Sequence, residues 1–502
     1  MNPTFSPRLS FLHIFILFGL CVVFLGGYDD NLKRLAKVTG IDFYQYWGTG
    51  VALASGRLPE ANILRNEEGV RTLLNDIVDH DPTDPLLRAV NQYRRNFIEF
   101  AGTPLLFSLW SLVKMRGFSE SFFWFSACKI LLLIAGIVLV GRTLNWDLLS
   151  SLTTALVLPL FFQPAILDIV IGNINSIQFF GVSLVFYIMH IQKLREKSDS
   201  TGLYTLSFIL SAFFVFLKPN ILLLFPFVFM HLLAQPGPRR VGRILFAAGV
   251  VVACFLVFPM IQFAAPDVWL DWYHRVLAPD DASGSIRLFR TMKQGNYSTL
   301  ALLQGIAGVA PGNAMRVLIV FLFVSLLLAL FFRAWRLRAL PPAGSGHPCR
   351  WGIHAIVADA KIMIALALVL STALIPMLWA HYLVVMIVPA LFLIGAERYL
   401  ARLCGLATLV CASDLVWQLV LLLHTLLPVP QHLSLFTRLY VLHEILLALS
   451  WLPAWLGLLS LMAQPHPNPG PRRQRGLQGV NNETDASGHA RGASGAANAG
   501  GA

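Results

Sequence analysis

The 502 residues are 56% hydrophobic and only 13% charged, with a mean hydropathy of +0.67, which excludes a water-soluble globular protein of this size. The formal net charge of +12 is no nucleic-acid footprint, because the Lys and Arg residues stand in short clusters between apolar runs, where they set orientation in a membrane. Of the six cysteines, all but Cys349 lie inside apolar runs, with neither metal-ligand spacing nor a disulfide framework.

Thirteen apolar segments follow one another, at about 8–27, 98–113, 121–141, 148–163, 172–190, 203–217, 219–233, 244–263, 315–333, 360–377, 381–396, 403–427 and 439–462. In lipid such runs must be helices, since no water satisfies their backbone groups. The first follows Arg8 and lacks a small-residue cleavage site, so it reads as a retained anchor. Basic clusters at Lys193, Arg195 and Lys197, at Arg239, Arg240 and Arg243, at Arg333, Arg336, Arg338 and Arg350, at Arg398 and Arg402, and at Arg472, Arg473 and Arg475 are expected to face the cytoplasm. From position 191 onward they fit strict alternation. A cytoplasmic N-terminus cannot hold with an odd number of spans, so one early segment must fail to cross. The candidate is 98–113, short and with Gly102 and Pro104 near its start, and 148–163 is the alternative.

The expected fold is therefore an all-α polytopic membrane protein of about twelve transmembrane helices, spanning residues 1–464. Two external loops, about 28–97 and 264–314, carry short amphipathic helices, and 465–502, rich in Gly, Ala, Asn and Ser, reads as a disordered cytoplasmic tail. The alternation gathers the polar oddities of the chain on the external side: Gly172-Asn173, Lys218-Pro219-Asn220, the stretch 264–313 and Trp379-Ala380-His381.

In Ile41-Asp42-Phe43-Tyr44-Gln45-Tyr46-Trp47, just outside the first span, Asp42 and Tyr46 share one helix face. Phe43 and Trp47 share the next and can lie against the membrane surface. On local physics this is an N-cap Asp followed by an interfacial aromatic belt. Lys218 can simply snorkel from a helix end, and His381 beside Trp379 and Tyr382 can be a belt residue. Asn173, Asn175 and Gln178 can cap a helix and pair between helices. Lys129, inside a span, sits near its boundary or faces another helix and is assigned no function. Asn296-Tyr297-Ser298 is formally a glycosylation sequon.

Asp42-Phe43-x-x-Tyr46-Trp47-x-x-x-x-Ala52-Leu53-x-x-Gly56-x-x-Pro59 resembles the opening motif of glycosyltransferase family 87, polyprenol-phosphate-mannose-dependent mannosyltransferases of the GT-C superfamily. Gly172-Asn173-Ile174-Asn175 resembles that family's Gly-Gln-Val-Asn turn, Lys218-Pro219-Asn220 its Lys-Pro-Gln turn, and Pro376-x-x-Trp379-x-His381-Tyr382 its Trp-x-His-His-Tyr region. The chain departs from the family at Phe97 to Pro104, where Tyr-Pro-Pro is usual, at Asn173 in place of Gln, and in having one His before Tyr382. Sugar and acceptor identity are therefore not carried over.

The resemblance implies a GT-C-like bundle that moves a mannose-like sugar from a polyprenyl-phosphate donor to a lipid or glycan acceptor, on the outer face of a bacterial cytoplasmic membrane. A sugar hydroxyl is a weak nucleophile, so a carboxylate must take its proton as it attacks; Asp42 is the candidate base. A phosphate leaving group needs no general acid, so one carboxylate suffices, and a single displacement inverts the anomeric centre. Lys218 and His381 are expected to bind the donor phosphate, with Arg287, Arg290 and Lys293 closing over it from the second loop. Tyr46, Trp47, Asn173, Asn175, Gln178, Trp379 and Tyr382 are the expected substrate-binding residues. The membrane lipid, the lipid-linked donor and the acceptor are the partners; nucleic acid is not one. No cofactor or metal is called for, although Asp267 and Asp271 leave a metal open. The rival functions are a flippase of lipid-linked sugars and a catalytically silent scaffold. A transporter should show inverted repeats and ionisable residues near mid-membrane, and no repeat is found.

Overall fold

The computed structural model describes residues 39–60, 63–80, 83–95, 102–113, 117–194, 201–233, 238–274, 296–307, 311–338, 359–376, 378–413 and 433–463. The expected first span 8–27, the cations Arg287, Arg290 and Lys293, and the tail 465–502 lie outside them. Among the described residues all regular structure is helical.

The chain enters with α1 (Ile41–Ser55), bounded by left-handed glycines at Gly40 (φ 75°) and Gly56 (φ 61°). Two amphipathic helices follow, α2 (Glu67–His80) and α3 (Pro85–Arg94), which bury Val70, Leu73, Leu74, Leu87 and Val90. Asp84 caps α3 by accepting from the N–H groups of Leu86 (3.1 Å) and Leu87 (2.9 Å). The same carboxylate accepts from Ser119 N (2.9 Å) and Oγ (2.6 Å), which ties the loop to the next long helix. Burial alone would raise the pKa of Asp84, but the bonds from Ser119, Leu87 and Leu86 outweigh it and hold the carboxyl below its ordinary value.

Of the segment expected to fail as a span, 98–113, residues 102–113 are described. Its helix α4 (Pro104–Ser111) has eight residues, about 12 Å of rise against a hydrocarbon core of about 30 Å. α4 lies against α1. Trp110 stacks on Tyr46 with ring centroids 5.6 Å apart and meets Phe43 edge-on at 5.7 Å. Phe43 is also surrounded by Phe118, Phe122 and Phe125, and Trp47 packs edge-on against Phe118 at 5.4 Å. This corrects the expectation that Phe43 and Trp47 face the membrane surface: they are 0% and 5% exposed. Protein covers the aromatic residues of α1 because α4 and the loop helices fold over it.

The bundle proper begins with α5 (Phe118–Thr143) and continues as α6 (Leu148–Phe161), α7 (Gln163–Ile171), α8 (Asn175–Leu194), α9 (Thr201–Leu217), α10 (Leu224–Leu233), α11 (Pro238–Gln262), α12 (Val268–Trp272), α13 (Thr299–Ala307), α14 (Pro311–Arg338), α15 (Ala360–Leu374), α16 (Ile387–Ile394), α17 (Tyr399–Ala412), α18 (Leu433–Ala448) and α19 (Trp451–Met462). Short 3-10 turns, Pro219–Ile221 and Ala380–Met386, precede α10 and α16. Among the described residues three helices are long and apolar enough to cross a membrane: Phe118–Thr143, Gly242–Gln262 and Gly312–Ala329. The number is five if two bent pairs count as one span each, Leu148–Leu160 with Gln163–Ile171 (70°) and Thr437–Ala448 with Trp451–Met462 (43°). Pro159 and Pro164 at the first break explain its bend, since each removes a backbone donor. Five further apolar helices of 10–17 residues complete the described set, which shows a membrane bundle without showing the expected twelve spans.

α5 fixes the polarity of the bundle. Its Phe118 end meets α1, while at its far end, about 39 Å away by helical rise, Thr143 O accepts from Lys361 Nζ at 2.6 Å and Leu144 approaches Gly395. Arg398 donates to Ser460 O at this basic end. One continuous apolar core joins the loop helices to the bundle.

Candidate active site

The site grows from a backbone staple. Gly40 N–H donates to Val170 O at 2.8 Å, which holds the start of α1 against the end of α7 and brings Asp42 to the turn that follows. Gly172 closes α7 in the left-handed region at φ 78°. It also permits contact: a Cβ there would stand 2.5 Å from Phe43 Cβ. Gly172→Ala is therefore expected to cost about 1–3 kcal/mol through strain and overlap together. Thermal unfolding of the purified variant in detergent measures this, and an unchanged midpoint would show that α1 does not press on the turn.

Asn173, next in the turn, stands between the carboxylate and the cation. Its Nδ2 donates to Asp42 Oδ2 at 2.6 Å, and its Oδ1 accepts from Lys218 Nζ at 2.6 Å and from Ile174 N at 2.7 Å. An ammonium only donates and a carboxylate only accepts, so a group carrying both functions is needed to join them, and a side-chain amide supplies both. Asn175 Oδ1 accepts from Lys218 Nζ (2.9 Å) and from Asn220 Nδ2 (3.2 Å). Lys218 Nζ also lies 4.0 Å from the centroid of the Tyr382 ring, a cation–π contact. The backbone of the Lys218 turn is held by Gln178 Nε2, which donates to Lys218 O at 2.7 Å and Phe214 O at 3.0 Å. Thr103 Oγ donates to Leu217 O at 2.9 Å.

His381 enters from the 3-10 turn before α16. It is 6% exposed, and its Nε2 lies 3.9 Å from Asp42 Oδ2, with no hydrogen-bond partner among the described residues. The stretch leading to it is pinned by Asn296, which donates to Pro376 O at 3.0 Å and accepts from Leu378 N at 2.9 Å. Asn296 is 1% exposed, so the amide of the formal sequon is used inside the fold.

Beneath this layer lies a pair that sequence reasoning left without a role. Lys129 and Asp168 are both 0% exposed, with Nζ 3.6 Å from Asp168 Oδ2. Lys129 Nζ donates to Asp168 O at 2.5 Å and Asn173 O at 2.8 Å. The Asp168 carboxylate accepts from Asn175 N (3.1 Å), Asn175 Nδ2 (2.9 Å), Ser176 N (3.0 Å) and Ser176 Oγ (2.6 Å), capping α8 from the preceding helix. The pair thus clamps both ends of the Gly172–Asn173 turn. Its signal in the sequence was a Lys and an Asp of opposite charge within apolar surroundings, which must find each other.

Of the sequence-derived residues, Asp42, Asn173, Asn175, Lys218, His381 and Tyr382 come together. Gln178 reaches the cluster through backbone and Trp379 through its carbonyl, which accepts from Tyr382 N at 2.9 Å. Tyr46 and Trp47 belong to the aromatic support of α1, and Arg290 and Lys293 are outside the described residues. Asp267 and Asp271 pair with Arg65 of the first loop. Arg94, which the sequence did not single out, stands 3.7 Å from Asp42 Oδ1.

Fold and site define a helical membrane protein in which a carboxylate, amides and buried cations meet at one end of the bundle, opposite its basic end. The family model of glycosyltransferase family 87 matches residues 102–346 and supports the family that the motifs indicated. The match supports a membrane glycosyltransferase. The matched stretch contains Lys129, Asp168, Asn173, Asn175 and Lys218, whereas Asp42, Arg94 and His381 flank it. No curated protein and no solved structure matches the chain.

Proposed function

We propose that the protein transfers a mannose-like sugar from a polyprenyl-phosphate donor to a lipid or glycan acceptor at the outer face of the cytoplasmic membrane, with inversion, and that Asp42 is the general base. The observation that carries this reading is the hydrogen-bonded line Asp42–Asn173–Lys218, which sets a carboxylate one amide away from a cation at the end of an apolar bundle. A base must reach the attacking hydroxyl while positive charge meets the departing phosphate, and this arrangement supports both at once. Lys218 has two hydrogen-bond acceptors among the described residues, which leaves one of its three N–H donors for a phosphate oxygen. His381 approaches the same carboxylate and brings a second donor. Cationic side chains can neutralise this leaving group, so the reading invokes no metal or cofactor.

A flippase would need polar groups along a path through the bundle, and the cluster described here gathers at one end. The test is transfer by the purified protein from a radiolabelled polyprenyl-phosphate mannose to a mixed acceptor-lipid extract. A labelled glycoside is expected. Movement of the donor across a vesicle without any glycosidic product would favour transport, and neither activity would favour a scaffold.

Lys218→Met and His381→Gln keep most of the side-chain volume. Each is expected to raise the donor KM about tenfold or more, the effect of losing a charge-assisted hydrogen bond, without a large change in unfolding temperature. If both variants keep the wild-type KM, the phosphate site is not here.

A further inference from the structure

We propose that Arg94 is a further ligand of the donor phosphate, delivered by the extramembrane loop to the side of Asp42 opposite Asn173; this rests on the reading of the site given above. The Arg94 side chain is 12% exposed, whereas its neighbour Arg95 is 52% exposed and pairs with Asp79. Burying a guanidinium is costly unless its donors are used. Yet Arg94 Nε is buried with no hydrogen-bond partner among the described residues, and the nearest carboxylate oxygen, Asp42 Oδ1, is 3.7 Å from its terminal nitrogen, beyond a direct hydrogen bond.

The position is imposed by the fold. α3 is capped by Asp84, and its Asn91 Nδ2 donates to Tyr44 OH of α1 and to Asn75 Oδ1 of α2, both at 2.8 Å. Arg94, one turn further along α3, is thus aimed at Asp42 by a helix fixed on both sides.

Charge accounting points the same way. Lys129 is matched by Asp168, while Asp42 alone faces both Lys218, through Asn173, and Arg94. The cluster therefore carries one positive charge in excess even with His381 neutral. A buried surplus of this sign fits an anionic ligand, and the planar fork of an arginine fits two phosphate oxygens. Asp42 would then stand between Arg94, toward Oδ1, and the imidazole of His381, toward Oδ2.

The experiment is direct binding to the full-length protein in detergent, comparing a polyprenyl phosphate with the uncharged polyprenol of the same length. For Arg94→Gln the Kd for the phosphate is expected to rise about tenfold while that for the alcohol stays put; Arg94→Lys should recover part of the loss. A wild-type ratio of the two affinities in Arg94→Gln would overturn the proposal, and if Lys218→Met lowers the ratio in the same assay, the general reading of the site survives that failure. Should Arg94→Gln unfold, Arg94→Lys is read alone: a Kd for the phosphate raised severalfold supports the proposal, and an unchanged one overturns it. Displacement of the bound polyprenyl phosphate by phosphatidylglycerol as readily as by more polyprenyl phosphate would make Arg94 a general headgroup contact and also overturn it.

Discussion

Asp42→Asn is expected to lower the transfer rate by about 10²- to 10⁴-fold, the usual contribution of a positioned general base. The substitution is nearly isosteric, and the new amide oxygen can still accept from Asn173 Nδ2, so the staple between α1 and the Gly172 turn is retained. What disappears is the ability to take a proton, together with one negative charge in a cluster that already has a positive surplus. Donor affinity should therefore hold or improve while kcat collapses. Initial rates over a donor titration separate the two quantities. A wild-type kcat would remove Asp42 as base, and a loss confined to KM would recast it as a binding residue.

Lys129→Met has the largest expected structural effect. It leaves the Asp168 carboxylate with its four hydrogen bonds at the start of α8 but without a countercharge, in a place that is 0% exposed. Removing one partner of a buried ion pair costs about 3–5 kcal/mol, and the surviving bonds place this case toward the lower end. The double variant Lys129→Met with Asp168→Asn should recover much of the loss, because no uncompensated charge is then buried. Chemical unfolding in detergent compares the three proteins. A single variant within about 0.5 kcal/mol of wild type, the range of an ordinary surface change, would mean that the pair does not hold the turn. Because Lys129 also binds Asn173 O, loss of the pair should depress transfer beyond the loss of folded protein, as the amide that joins Asp42 to Lys218 is freed to move.

Three turns named from the sequence, Gly172-Asn173, Lys218-Pro219 and Trp379-His381, do converge, although 45 residues separate Asn173 from Lys218. Alternation made this foreseeable: helices that cross and return must place every second turn on the same side. The shortness of helix α4 was also legible, from the brief apolar run and its early Pro104. Where it would pack was not. A short apolar helix must bury its face somewhere, and here it covers α1, turning an expected interfacial belt into a packed aromatic cluster. Arg94 left no signal, because a cation at the end of an amphipathic loop helix ordinarily faces water, as Arg95 does.

Hydrophobic runs, basic clusters and the order of the polar turns determined by themselves that this chain is a helical membrane protein with its polar turns gathered together, since those properties follow from the cost of placing backbone or charge in hydrocarbon. Only the tertiary structure decided which polar groups come together: that Asn173 joins Asp42 to Lys218, that Lys129 pairs with Asp168 beneath them, and that Arg94 stands beside Asp42. Such pairings depend on distances between elements far apart in sequence, which no local pattern of residues encodes.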